Sequence, residues 1–143
     1  MNIYDVNITS LAYGGEALGR LPDGRAVFVP FALPGERVRL QLTEEKRGHA
    51  RAALVEVLEP SPERIVPRCP HFTICGGCHY QHMDYAAQLN YKTAILCEQL
   101  ERIGGLHDIP IGAPVASPQT WNYRNHVQFH QAPDGRLGYQ TTR

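Results

Sequence analysis

The stretch from Ile3 to Glu59 is cut by turn-forming residues so often that no long element fits within its first half. Gly14-Gly15, Gly19, Pro22-Asp23-Gly24 and Pro34-Gly35 each interrupt an apolar run soon after it begins. Ile3, Val6 and Ile8 with Leu11 open an apolar edge, and Ala26-Val27-Phe28-Val29 reads as a compact strand. Val38, Leu40 and Leu42 alternate with Arg37, Arg39 and Gln41, the period of a half-buried strand. Glu44-Glu45-Lys46-Arg47-Gly48 reads as a charged hairpin tip, and Ala50 to Leu58 as a further strand. Several short strands with turns between them predict a small closed barrel. Pro60-Ser61-Pro62 ends that unit, because proline donates nothing to a sheet ladder and biases its predecessor to extended backbone. The expected organisation is a barrel over residues 1–59 and a second, α+β region over 60–143, mainly β overall with one α-helix.

The second region opens on Cys69-Pro70-His71-Phe72-Thr73-Ile74-Cys75-Gly76-Gly77-Cys78, three of the chain's 4 cysteines at the spacing C-x5-C-x2-C. A disulfide uses two sulfurs and leaves one over, whereas a metal centre uses all three. Gly76 and Gly77 carry no Cβ, so the backbone can turn sharply and aim N–H groups at sulfur. The residue pattern admits an iron–sulfur cluster, a zinc site in which Cys75, Cys78, His79 and His82 read as C-x2-C-H-x2-H, or a loop of reduced thiols. Cys97 falls in a helical pattern beside apolar Leu96 and Leu100, where a lone thiol behaves as a small hydrophobe.

Asp84 is the expected N-cap of that helix. Tyr85, Leu89, Leu96, Leu100 and Ile103 recur at helical steps and predict its apolar face, and Gly104-Gly105 predicts its end. Residues 106–120, with Pro110, Pro114 and Pro118, read as loop. Trp121 to Phe129 reads as a strand, Ala132-Pro133-Asp134-Gly135 as a hairpin turn, and Arg136 to Gln140 as the start of a return strand. That pairing looks unfinished at Arg143, which makes a fragment of a larger domain the expectation.

Lys plus Arg number 14, as do Asp plus Glu, so any nucleic-acid binding has to use a local patch. The terminal stretch is the more basic, with Arg124, Arg136 and Arg143 against Asp134. Met1-Asn2-Ile3-Tyr4-Asp5 lacks the basic and apolar runs of a leader, and no run is long enough to cross a bilayer. Reduced thiols agree with a cytoplasmic setting.

Several spaced motifs resemble one family. Gly14-Gly15-Glu16-Ala17-Leu18-Gly19-Arg20, Val27-Phe28-Val29-Pro30 and Leu33-Pro34-Gly35-Glu36-Arg37-Val38 are similar to a TRAM domain, an OB-like RNA-binding module. Arg68-Cys69-Pro70, Cys75-Gly76-Gly77-Cys78, Gln81-His82, Gln88-Leu89 with Lys92, Arg102-Ile103-Gly104-Gly105 and Trp121-Asn122-Tyr123-Arg124-Asn125 continue the match. Together they resemble the N-terminal part of the S-adenosylmethionine-dependent RNA uracil-5-methyltransferases that act on 23S rRNA.

The resemblance implies a 4Fe-4S cluster on Cys69, Cys75 and Cys78, with a fourth cysteine that lies beyond this sequence and no ligand role for Cys97. Related tRNA-modifying members lack these cysteines, which points to the rRNA branch. The family's chemistry is C5 methylation of uridine, in which a cysteine adds to C6 of an extruded base and the methyl comes from S-adenosylmethionine. That apparatus belongs to a Rossmann-like C-terminal domain with no counterpart in these residues, so this chain alone is not expected to be catalytic. Uracil methylation requires no electron, so a structural cluster is the expectation. The implied partner is RNA, 23S rRNA in particular, bound by a monomer without a membrane. Within the barrel, Phe28, Phe31, Arg20, Arg25, Lys46, Arg47 and Arg51 are candidate contacts for a single strand; Arg124 is a further one, able to fork onto phosphate or stack on a base.

Overall fold

A computed structural model describes residues 2–142; Met1 and Arg143, which entered the readings of the leader and of the basic terminal stretch, lie outside them. Strands β1 (Ile3–Leu11), β2 (Ala17–Arg20), β3 (Ala26–Val29), β4 (Arg37–Glu45) and β5 (His49–Glu59) close into a barrel in the order β1-β2-β3-β5-β4. All neighbours are antiparallel except β3 and β5, which run parallel with Val27 opposite Ala50 and Phe28 opposite Arg51. Among the described residues, a mainly β barrel with a single helix is the architecture that the turn signals and the helical periodicity predict.

Alternation builds the core. Val6 and Ile8 of β1, Val27 and Val29 of β3, Val38 and Leu40 of β4, and Ala50 and Ala52 of β5 are buried, while their neighbours Asp5, Asn7, Arg37 and Gln41 face water. Gly19 of β2 sits where a Cβ would stand 2.6 Å from Val6 Cγ1 and 2.9 Å from Asn7 O, so only glycine lets β1 and β2 approach there. Irregular registers between β1 and β2, and at three places between β4 and β5, bend the long strands around the barrel.

The region after the Pro60-Ser61-Pro62 stop packs onto the barrel. Met83, Ala87 and Ile95 join the barrel's apolar cluster. Glu36, 1% exposed, binds the two together. Its carboxylate accepts from Leu33 N (2.8 Å) on the barrel side, and from Ser61 N (3.2 Å) and Arg64 Nε and Nη2 (2.5 and 2.8 Å) on the other. Burying a carboxylate costs free energy that hydrogen bonds of this number offset. Arg64 Nη2 also donates to Phe31 O at 2.8 Å.

The helix α1 (Tyr85–Arg102) starts as the sequence predicts: Asp84 accepts from Ala87 N at 2.8 Å. It stops at the glycine pair, with Gly104 N donating to Gln99 O, Leu106 N to Leu100 O, and Gly105 in the left-handed region. Its buried face differs from the expected one. Ala87 and Ile95 are buried and Tyr91 packs against the same cluster, whereas Leu96 is 48% and Ile103 68% exposed. Small Ala87 lets the helix start come close to the barrel, and the four-residue steps to Tyr91 and Ile95 then follow.

The strand expected over Trp121 to Phe129 is not formed. Among the described residues the only pairing beyond α1 within named strands is β6 (His130–Gln131) against β7 (Leu137–Gly138). The hairpin turn at Ala132 to Gly135 is present, with Gly135 N donating to Ala132 O. Residues 121–129 are exposed throughout, and an apolar–polar pattern without a neighbouring strand to pair with does not hold extended ladder geometry.

Candidate nucleic-acid interface and cysteine loop

The cysteine loop is tied down at its first cysteine and turns back on itself at its second. Cys69 N donates to Gln81 Oε1 (3.2 Å), and Cys75 N to His71 O (2.9 Å). Its other side pairs with the terminal segment: Gly76 N donates to Gln140 O, Thr142 N to Ile74 O, and Thr142 Oγ1 to Thr73 O, each at 2.8 Å. A Cβ on Gly76 would lie 2.9 Å from Gln140 O. Gly76 therefore serves backbone approach to the terminal segment, and Gly77 serves sulfur, with its N–H 3.4 Å from Cys75 Sγ.

Cys69, Cys75 and Cys78 are each half-buried and unpaired in disulfides, as is Cys97. Among the described residues, no three His, Cys, Asp or Glu side chains converge as a metal site. The donors as arranged do not make a complete ligand set. His82, offered by the C-x2-C-H-x2-H pattern, is turned to the barrel. Its Nε2 lies 3.4 Å from Ala32 O, its ring stacks on Phe72 at 5.5 Å, and it is 1% exposed. Burial first, and the Arg64 charge second, push its pKa down to about 4, so the ring is neutral. Its Nδ1 is buried without a partner.

The candidate RNA contacts divide into groups. Phe31, at φ 65°, stands edge-on to Phe72 (5.2 Å) and His82 (6.2 Å) at the seam between barrel and loop. It also lines a cleft of about 360 Å³ with Gly14-Gly15, Glu16, Gly76, His79, His130 and Tyr139. Lys46 pairs with Glu44 at 3.0 Å, and Arg47 is exposed beside it at the β4–β5 tip. Arg25 is bound to Asp23 and Glu45. Arg20 is exposed and donates to Gly24 O at 2.9 Å. Arg124 donates to the hydroxyl of Tyr139 (3.3 Å), one of the residues lining that cleft, and sits 5.9 Å from the Tyr123 ring.

The sequence leaves the direction of Phe28 open. Val27 and Val29 are fully buried, so Phe28 points out of the barrel. There its ring stands at 83° to His49, 5.9 Å away, with the Arg51 guanidinium 6.0 Å from its centre. His49 escaped sequence reading. The signal was its position two residues before Arg51, on the same face of one strand. Arg64 also escaped it, because its role rests on a partner twenty-eight positions away.

The outward face of β1 and β4 carries a further set of charges. There Arg39 forks onto Asp5 (2.9 and 3.2 Å) and reaches Glu56 (3.1 Å), and Arg37 meets Glu59 (3.4 Å). Those guanidinium groups are matched by carboxylates, as Arg25 is by Asp23 and Glu45 and Arg51 by Glu16.

The barrel is matched by a known family, the TRAM domain, over residues 2–55. Residues 2–55 are a TRAM domain. Similar proteins extend the match beyond it. An RNA methyltransferase of Aquifex aeolicus, itself uncharacterised, is 40% identical over 134 residues, covering 94% of this chain and 31% of that protein. The 23S rRNA (uracil(1939)-C(5))-methyltransferase RlmD of Alkalilimnicola ehrlichii is 42% identical over 126 residues, 88% of this chain and 28% of that one. The crystal structure of the Pyrococcus abyssi tRNA (uracil-54, C5)-methyltransferase superposes with a TM-score of 0.57 over 94% of this chain and 28% of that one. At 24% identity it supports the fold. The TRAM-bearing chain thus matches the N-terminal part of proteins named RNA methyltransferase, as the sequence motifs imply, and spans about three-tenths of their length.

Proposed function

We propose that this chain is the RNA-binding N-terminal part of an rRNA (uracil-C5)-methyltransferase. The closed TRAM barrel carries the reading: it is the module whose outer surface offers side chains to a single strand, in a chain 42% identical to a 23S rRNA methyltransferase. On this reading the barrel, residues 1–59, captures RNA, and residues 60–143 form the base that joins it to a methyl-transferring domain. S-adenosylmethionine enters through that further domain. The protein works as a cytoplasmic monomer on 23S rRNA, with Arg20, Lys46, Arg47, Phe31 and Arg124 among its contacts.

Cys69, Cys75 and Cys78 belong in the same proposal as holders of a 4Fe-4S cluster. Their spacing, half-burial and the Gly77 N–H on Cys75 Sγ support it. The donors do not converge in the arrangement described, so no chemical step is assigned to the group. Binding of such a group organises its own ligands, and its free energy is then folding free energy.

Fluorescence anisotropy with a labelled single-stranded rRNA segment tests the main reading. Binding that weakens steeply with added salt is expected. Absence of binding at low salt would sink it. Methyl transfer from labelled S-adenosylmethionine by this chain alone would contradict the division of labour. Iron and acid-labile sulfide after anaerobic reconstitution test the cysteine assignment; stoichiometric zinc in their place would overturn it.

A further inference from the structure

The outward face of β2, β3 and β5 carries side chains that the ladder sets in two rows. Leu18 lies opposite Phe28, which lies opposite Arg51; Arg20 lies opposite Ala26, which lies opposite His49. The inward positions between them, Ala17, Gly19, Val27 and Ala50, are buried, so the face is fixed by the pleat and not by loop geometry. Phe28 and His49 stand nearly perpendicular, and together they form a corner with two aromatic walls. Arg20 and Arg51 flank it at opposite ends of the two rows.

We propose that this corner is a nucleobase-stacking site for single-stranded RNA, with Arg20 and Arg51 holding the phosphates on either side. The proposal rests on the RNA-binding reading above and goes further by placing the contact on the seam between β3 and β5. A base lying flat on one ring presents its edge to the other. His49 adds a ring nitrogen that can hydrogen-bond that edge, which a second phenylalanine could not do. Both arginines have donors left over. Arg20 spends one N–H on Gly24 O, and Arg51 spends one on Glu16 at 2.5 Å, out of five apiece. Glu44 lies 3.9 Å from Arg51 Nε, an ion pair that takes no further N–H. Arg39 differs in that it already spends three N–H groups on Asp5 and Glu56.

The probe is a short fluorescent oligouridine, titrated into the wild-type chain and into Phe28→Ala, His49→Ala and Arg39→Ala. Phe28→Ala is expected to weaken binding about tenfold and His49→Ala several-fold, the range that loss of one stacked base produces. Arg39→Ala is expected to bind as wild type. Because Phe28→Ala removes a half-buried ring, circular dichroism checks its fold. A second measurement needs no variant: oligouridine carrying 5-iodouridine is photocrosslinked to the wild-type chain and the adducts are mapped by mass spectrometry. Adducts on Phe28 or His49 support the corner. Wild-type binding with both variants unchanged and adducts elsewhere overturns the corner and leaves the RNA-binding reading standing. No binding by the wild-type chain overturns both. Binding of a protein partner to this face, with RNA crosslinked elsewhere, also overturns the corner.

Discussion

The barrel and the terminal stretch from Gly104 to Thr142 are held by different forces. In the barrel every strand has two neighbours, and Val27, Val29, Val38 and Leu40 are fully buried. In the terminal stretch almost every side chain is exposed, Val115 to 95% and Leu137 to 69%. What holds it is a handful of hydrogen bonds: the short β6–β7 hairpin, the Tyr85 hydroxyl accepting from Ser117 N, and the pairing of Gln140 to Thr142 with the cysteine loop. Burial makes the first region cooperative. The second follows whatever it is tied to, and its opening is expected to leave the barrel intact.

Four measurements break or sharpen that contrast. The largest effect is expected at a residue outside the barrel. Arg64→Ala strands the buried Glu36 carboxylate with two backbone donors, and loss of one member of such a pair costs about 3–5 kcal/mol. Urea unfolding followed by circular dichroism reads it; an unchanged midpoint would show that the barrel does not depend on its neighbour.

Next comes His82. Its pKa is about 4 in the folded protein against 6.5 when free, so between those values the folded state binds fewer protons than the unfolded one. Stability from the neutral ring is complete above pH 6.5, falls as the pH drops towards 4, and is gone below that. The loss amounts to up to about 3 kcal/mol, and in His82→Gln this part of the slope should vanish. Equal slopes in both proteins would remove His82 from the account.

Gly76→Ala acts locally. Its new methyl meets Gln140 O, and a cost of about 1–2 kcal/mol should fall on the pairing alone. Hydrogen exchange should quicken about tenfold at position 76 and at Thr142 while the barrel amides keep their protection. Global destabilisation instead would join the two regions into one unit. The smallest effect belongs to Arg39→Ala. Its ion pairs are solvent-facing, and the urea midpoint should stay within error.

Much of the barrel was legible in the sequence because its signals are local. The period of two in Val38, Leu40 and Leu42 and the turns at Pro22 to Gly24 and Pro34-Gly35 lie within a few residues of what they decide. Asp84 and Gly104-Gly105 marked the helix ends for the same reason. Its buried face was misjudged because Leu96 and Ile103 are apolar by type, yet burial depends on where the barrel lies, and Ala87 rather than the larger side chains fixes that. The strand expected at Trp121 to Phe129 failed on the same ground: pairing needs a neighbour, and propensity does not supply one. At the interface, Arg20 and Phe28 could be named from the barrel reading, but the corner formed with His49 depends on the parallel register of β3 and β5, which crosses the whole of β4.

Glu36 takes hydrogen bonds from both sides of the Pro60-Ser61-Pro62 break. The two halves are therefore clamped at a set angle and cannot swivel like beads on a string. Anything gripped on the outer wall of the barrel would be carried at a fixed bearing to the thiol-bearing loop, as a workpiece is carried in a jig.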